Sequence, residues 1–284
     1  MTGRWPNLFI VGVAKGGTTS LWRYLDRHPD IYMSPVKEPN FFLAPGAPVK
    51  VPTEAEYLRL FAGVRSEHWL GESSPRYFTD PRVPERIRST VPEARILVTL
   101  RDPVERAWSH YWHNVKFGVE GRPFAEAVEE QLADPSVGAS DKPWNTYVSW
   151  GMYAPPLRRF LDMFGDGVHV LVFEELKENP QREVASTLGF LGLGVDAAHA
   201  PPLAAHNAFA LPRNWLAGKL MASPRARAAG RAIFREPVRS GVERIIVRRG
   251  SKPGLEEALR IRLREAFADD REALAQLLGC RLPW

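Results

Sequence analysis

Leu8-Phe9-Ile10-Val11-Gly12-Val13-Ala14-Lys15-Gly16-Gly17-Thr18-Thr19-Ser20 is the stretch that decides the fold. The run from Asn7 to Val13 is apolar, carries β-branched residues and ends among glycines, which predicts a short buried strand. From Thr18 onward Leu21, Trp22 and Leu25 recur at helical spacing, so strand, glycine-containing loop and helix follow one another directly. At such a junction the free backbone N–H groups and the positive end of the helix dipole attract an anion. Lys15 adds a mobile positive charge, and Thr18, Thr19 and Ser20 add hydroxyl donors at the helix start. The nucleotide-triphosphatase loop reads Gly-x-x-x-x-Gly-Lys-Ser/Thr. Here Gly12 and Gly17 keep the glycine spacing, but Thr18 stands where that lysine belongs and Lys15 has moved inside the loop.

Further strands are expected at Ile31 to Met33, near Trp69 to Gly71, at Arg95 to Leu100 and at Val168 to Phe173. Helical patterns separate several of them: Glu54 to Phe61, Val83 to Thr90, Val104 to Lys116, Phe124 to Leu132, Ala154 to Phe164 and Gln181 to Leu191. Strands alternating with helices imply an α/β fold with a parallel, P-loop-like sheet flanked by helices. From about Ala197 the pattern degrades through a stretch rich in Pro, Ala and Arg, then recovers as a helix from Leu255 to about Leu278. Residues 196–252 are expected to cover the carboxyl edge of the sheet. The length of 284 residues suits one large α/β domain spanning residues 1–284.

With 44% apolar and 25% charged side chains, the composition is that of a globular protein and excludes a disordered or fibrous one. The single cysteine, Cys280, can form neither an internal disulfide nor a zinc site, which fits a reducing, cytoplasmic location. The apolar start is interrupted at Lys15, too early for a signal sequence or a membrane span, so no targeting segment is expected. The net charge of +5 suits an anionic ligand. Much of it is local: residues 225–252 hold nine basic side chains against Glu236 and Glu243. That stretch is either a solvated face or an attractor for an anionic acceptor or an acidic membrane surface. It lacks the interleaved aromatics of a stacking platform, which argues against nucleic acid.

A second strand-to-helix junction follows Ile96 to Leu100, in Arg101-Asp102-Pro103-Val104-Glu105-Arg106-Ala107-Trp108-Ser109-His110-Tyr111. Arg101 closes the strand and faces the crevice where open α/β sheets bind ligands, and Pro103 suits an early helical position. Asp102 could instead hold magnesium, as in a phosphoryl-transfer enzyme, and Arg101 could pair with a local carboxylate. After the second strand, Lys37-Glu38-Pro39-Asn40-Phe41-Phe42 sets a carboxylate beside an aromatic pair, an apolar wall able to raise its pKa.

Lys15-Gly16-Gly17-Thr18-Thr19-Ser20-Leu21, then His28-Pro29-Asp30, then Lys37-Glu38-Pro39-Asn40-Phe41-Phe42 resemble the sulfotransferase family that uses 3'-phosphoadenosine 5'-phosphosulfate (PAPS). The likeness runs from about residue 7 to 213 and is nearest to bacterial members and the heparan sulfate branch. The resemblance implies that Lys15, Gly16, Gly17, Thr18, Thr19 and Ser20 bind the 5'-phosphosulfate. It implies too that Arg101 and Ser109, eight residues apart, hold the 3'-phosphate, and that Glu38 in Glu-x-x-Phe-Phe is the catalytic base. His110 and His113 are fallback bases, since another branch uses histidine. Glu72-Ser73-Ser74-Pro75-Arg76-Tyr77-Phe78 departs from the branch's Glu-Lys-Thr-Pro-x-Tyr-Phe: its active-site lysine is Ser73 here, and Lys37 could supply that charge.

Gly151-Met152-Tyr153-Ala154 resembles a segment along the family's ligand cleft, so Tyr153 either touches ligand or is core. His206-Asn207-Ala208-Phe209 with Pro212-Arg213 resembles a bacterial segment closing over the nucleotide, which would bring Arg213 to the 3'-phosphate. The function expected is metal-independent sulfuryl transfer from PAPS, leaving 3',5'-adenosine bisphosphate, to a hydroxyl or amine of a sugar, lipid, phenol or secondary metabolite. Trp108, Trp112, Trp144 and Trp150 either line the acceptor pocket or are core. The competing readings are a P-loop kinase or nucleotidase needing magnesium, and an inactive nucleotide-binding protein.

Overall fold

The computed structural model of the chain describes residues 4–44, 46–47, 49–134, 146–194, 210–212, 247–249 and 252–284. Five strands form one parallel sheet: β1 (Leu8–Gly12), β2 (Ile31–Met33), β3 (Trp69–Ser73), β4 (Arg95–Leu100) and β5 (Val168–Val172), in the order β2-β3-β1-β4-β5. The helices of the first stretch are α1 (Thr18–Leu25), α2 (Glu54–Arg59), α3 (Val83–Thr90), α4 (Pro103–Lys116) and α5 (Phe124–Ala133). They are followed by α6 (Ala154–Phe164), α7 (Phe173–Glu178) and α8 (Pro180–Phe190). The chain divides into two compact units.

The first unit comprises Met1–Asp102, Met152–Ala204 and Asp269–Trp284, and holds the whole sheet. Every residue of β1 is buried, as expected of a parallel strand covered on both faces. Alternation along β1 separates two cores. Phe9 and Val11 pack with Phe42, Tyr57, Phe78 and the α6 residues Leu157 and Phe160. Leu8 and Ile10 pack with Leu21 and Leu25 of α1 and Val184 and Leu188 of α8. β1 lies between β3 and β4, with Ile10 opposite Ser73 and Gly12 opposite Val98, so the loop leaving β1 emerges between the ends of its neighbours. The crevice where order reverses across a parallel sheet lies at these carboxyl ends.

The second unit comprises Pro103–Gly151 and Ala205–Ala268. A two-stranded antiparallel ribbon, β6 (Ala210–Pro212) with β7 (Val247–Arg249), joins α4 and α5 there. The helix expected as one piece from Leu255 to Leu278 is two, α9 (Glu257–Ala266) and α10 (Ala268–Leu278), which meet at Phe267. The expected strand through Phe173 stops at Val172, because Phe173 already begins α7. In this unit Lys252 and Arg260 both reach the Glu105 carboxylate, at 3.0 and 2.9 Å, and Trp108 Nε1 donates to the Pro253 carbonyl.

Candidate active site

The loop after β1 is built by short-range constraints. Val13 N–H donates to the Thr99 carbonyl at 2.9 Å, the Thr99 hydroxyl donates to the Gly12 carbonyl at 2.9 Å, and Gly16 N–H returns to the Val13 carbonyl at 2.9 Å. Lys15 and Gly17 adopt left-handed backbone, with φ of 70° and 92°. A Cβ on Gly17 would lie 2.5 Å from the Phe173 ring, and one on Gly16 2.5 Å from the Thr99 carbonyl oxygen, so packing also requires both glycines. Gly17 is the N-cap of α1 and has no side chain to cap it. Ser20 and Leu21 N–H turn back to its carbonyl, so the amides of Thr18 and Thr19 precede the first intrahelical bond. The donor set is thus backbone N–H, three hydroxyls and the half-buried Lys15, a set suited to phosphate or sulfate oxygens.

Arg101 is tied to this loop. Its Nη1 donates to the Lys15 carbonyl at 3.0 Å, and its guanidinium lies 4.6 Å from the centre of the Phe173 ring, the ring that faces Gly17. Tyr153 is 1% exposed, and its hydroxyl donates to the Arg101 carbonyl at 2.9 Å. Tyr153 and Ala154 N–H in turn donate to the two oxygens of Asp270, at 2.7 and 3.0 Å. The structure therefore sets Tyr153 beneath the site, as core and as a support for Arg101. Asp102 N–H donates to Glu174, whose carboxyl burial pushes above its ordinary pKa. Phe173, Glu174 and Asp270 had no signal in the motifs; their places follow from the register of β5 beside β4 and from α10.

Glu38 reaches the same edge. Its N–H donates to the Ser73 carbonyl at 2.9 Å, at the end of β3 and one strand from the loop. Lys37 Nζ donates to Glu38 Oε1 at 3.1 Å. Among the described residues the non-glycines with positive φ are Lys15, Glu38 and Asn40, all three at this edge. Such conformations concentrate where surrounding structure fixes a functional group. Ser73 is fully buried and its hydroxyl lacks a hydrogen-bond partner.

The apolar wall expected around Glu38 is elsewhere. Phe42 enters the core, Phe41 stacks on Tyr57 at 4.4 Å, and the Glu38 side chain is 43% exposed. Burial raises the Glu72 carboxyl, fully buried at the end of β3, with its pKa pushed to about 7. Sequence reading passed over Glu72, although one charge inside Trp69-Leu70-Gly71-Glu72-Ser73 is a signal of its own.

Ser109 lies half-buried on α4 in the second unit. Beside it in sequence, His110 is 4% exposed and stacks on Trp150 at 5.3 Å, while the exposed His113 packs its ring on Phe117. Trp108 is also buried, stacked on Tyr111. Arg213, His206 to Phe209, Trp144 and most of the basic stretch lie outside the described residues.

Residues 6–215 match the family model described as the sulfotransferase domain. The chain belongs to the sulfotransferase family. A sulfotransferase from Alicyclobacillus acidocaldarius, known from its crystal structure, is 31% identical and superposes with a TM-score of 0.73 over 98% of both chains. Heparan sulfate glucosamine 3-O-sulfotransferase 6 of Homo sapiens is 32% identical over 198 residues, 67% of this chain and 53% of that protein. The bifunctional heparan sulfate N-deacetylase/N-sulfotransferase 2 of Homo sapiens is 28% identical over 199 residues, 67% of this chain and 22% of that protein. The chain spans about half the length, or less, of these two relatives. The five-stranded parallel sheet with flanking helices is the fold expected of this sulfotransferase.

Proposed function

We propose that this sulfotransferase moves a sulfuryl group from PAPS to a hydroxyl or amine, with Glu38 as the base. PAPS supplies the sulfuryl group and departs as 3',5'-adenosine bisphosphate. The amides of the Gly12–Ser20 loop, with Lys15, Gly16, Gly17, Thr18, Thr19 and Ser20, hold the 5' end, and Lys15 offsets the negative charge that grows on the departing oxygen. Arg101, and on the motif spacing Ser109, take the 3'-phosphate. Glu38 accepts the proton of the incoming hydroxyl or amine. The observation that carries the reading is the convergence at one sheet edge of two strand ends: the β1 loop fastened to Arg101, and Glu38 fastened to Ser73 on the adjacent strand. An anion cradle and an unburied carboxylate one strand apart suit in-line displacement, in which the protein mainly positions and deprotonates.

The acceptor we place first is a sugar, because these two relatives are named for heparan sulfate. Ser73 stands in place of the branch's lysine, and Lys37, whose Nζ reaches Glu38 Oε1 at 3.1 Å, supplies a cation beside the base instead.

Thermal unfolding with 3',5'-adenosine bisphosphate, with and without EDTA, against ATP plus magnesium tests the donor class. Bisphosphate at about 100 times its Kd adds roughly 2.7 kcal/mol, a shift of several degrees. A shift that survives EDTA supports the reading, and a shift confined to ATP with magnesium overturns it. Labelled PAPS with a panel of sugars, phenols and lipids then identifies the acceptor.

A further inference from the structure

The segment that carries Glu38 is hung from one buried carboxylate on the neighbouring strand. Glu72 Oε2 accepts the Ser74 hydroxyl at 2.6 Å, and the same Ser74 oxygen accepts the N–H of Asn40 at 3.1 Å. The Tyr77 hydroxyl is buried beside this carboxylate, and its oxygen accepts the N–H of Phe42 at 3.1 Å. Tyr57 donates to Oε1 at 3.0 Å from the other side. Glu72, Ser74 and Tyr77 are all fully buried. The Ser74 hydroxyl therefore spends its hydrogen on the carboxylate and a lone pair on the backbone of Asn40, while the Tyr77 oxygen holds the backbone of Phe42. A hydroxyl whose proton is engaged by a carboxylate is a better acceptor, and both links lie out of water, where such bonds hold geometry most firmly.

The held backbone is the part that needs holding. Glu38 and Asn40 sit at φ of 59° and 60° on either side of Pro39. Glutamate does not choose that conformation unaided, and it persists only where the surroundings over-determine it. Glu38 N–H on the Ser73 carbonyl fixes one end of the turn, and Asn40 N–H on Ser74 fixes the other. We propose that Glu72 is the positioning residue of this sulfotransferase: through Ser74 it locks the Glu38–Phe42 turn, which the Tyr77 oxygen also holds at Phe42, and so aims the Glu38 carboxylate. The proposal rests on the reading of Glu38 as the base.

Ser74→Ala removes the hydroxyl relay and Tyr77→Phe the separate hold on Phe42, each leaving Glu72 in place, and Glu72→Gln keeps its shape but offers a single acceptor oxygen. Three readouts are taken at pH 8: amide hydrogen exchange across residues 38–43, the thermal shift with 3',5'-adenosine bisphosphate, and sulfate release from labelled PAPS with water as acceptor. In that last reaction the sulfur–oxygen bond to the bisphosphate breaks, water supplies the new oxygen, and Glu38 takes the proton. Ser74→Ala should raise exchange at Asn40 and lower sulfate release about tenfold, the range for one lost buried link, with the bisphosphate shift unchanged. Glu72→Gln should lower release at least about threefold, and the Glu72→Gln/Ser74→Ala pair no further than Ser74→Ala alone, because both cut one connection. Wild-type exchange and release in Ser74→Ala would overturn the proposal, as would a fully additive double variant. Glu38→Gln run alongside separates the two claims: if it releases sulfate like wild type while Ser74→Ala frees the turn, the base assignment fails and the link from Glu72 to the turn stands.

Discussion

Arg101 Nη1 donates to the carbonyl oxygen of Lys15 at 3.0 Å, so the residue that closes β4 and the lysine inside the β1 loop move as one piece. The same guanidinium stacks on Phe173. A lysine could keep the charge at this position but neither the planar stack nor a second donor directed elsewhere. Arg101→Lys is expected to weaken 3',5'-adenosine bisphosphate binding by about 10- to 100-fold, as the loss of a charge-assisted bond and of loop order predicts. Titration calorimetry measures it, and wild-type affinity in the lysine variant would reduce Arg101 to a simple point charge.

Gly17 and Gly46 separate two costs of placing a side chain at positive φ. Both are left-handed, at 92° and 86°, but a Cβ on Gly17 would strike the Phe173 ring while one on Gly46 meets nothing within 4 Å. Gly46→Ala should cost only the backbone preference, about 1 kcal/mol, whereas Gly17→Ala adds a core-like clash for about 2–4 kcal/mol in total. Gly17→Ala should also lose the bisphosphate-induced thermal shift, since the loop cannot shift without moving Phe173 and Arg101. Urea unfolding of the two variants gives the comparison, and equal losses would remove Phe173 from the account.

Glu38→Gln preserves the volume of the side chain and its backbone link to Ser73 but cannot take a proton. Turnover is expected to fall roughly 10²- to 10⁴-fold, the range for a lost general base, with PAPS affinity nearly unchanged. Single-turnover rates with labelled PAPS and equilibrium binding of the bisphosphate distinguish this from a binding defect. A fully active Gln variant would return the search for a base to other carboxylates at this edge.

The parts of the fold visible in the sequence are those written in local patterns. The helices Val83–Thr90 and Ala154–Phe164 and the strand Arg95–Leu100 begin and end where periodicity, proline and the apolar run set them. Phe173 to Glu178 was not visible as a helix, because its six residues are too few to display a period and follow an apolar strand without a break. Phe267 interrupts α9 and α10 although the apolar spacing carries straight across it. In the site, Lys15, the glycines and Arg101 announce themselves through strand-to-helix junctions. Tyr153 and Asp270 become readable only once α10 returns to the sheet, a tertiary event no local window contains. Glu72 was hidden for a different reason: a carboxylate on a buried strand has meaning only through the hydroxyls that surround it, and these come from residues 57, 74 and 77.

Glu72 also makes the stability of the fold depend on pH in a sign opposite to that of an ion-paired carboxylate. Burial outweighs the neighbouring hydroxyls of residues 57, 74 and 77 and the nearby Lys37 charge, raising its pKa from 4.5 to about 7 in the folded protein. Between those values the folded chain keeps a proton that the unfolded chain has released. Unfolding therefore releases a proton, and raising the pH through this window favours the unfolded state, by up to on the order of 3 kcal/mol, with no further change above about 7. Asp270 and Glu174, also raised by burial, act in the same direction, so the contribution of Glu72 is the difference between wild type and Glu72→Gln. The wild-type urea midpoint should fall more steeply than that of the Gln variant from pH 5 to pH 8, and the two should run parallel from there to pH 9. Parallel curves across the whole range would mean that the surrounding hydroxyls and Lys37 keep Glu72 ionised throughout, so that the acceptor strength of Ser74 would not change with pH.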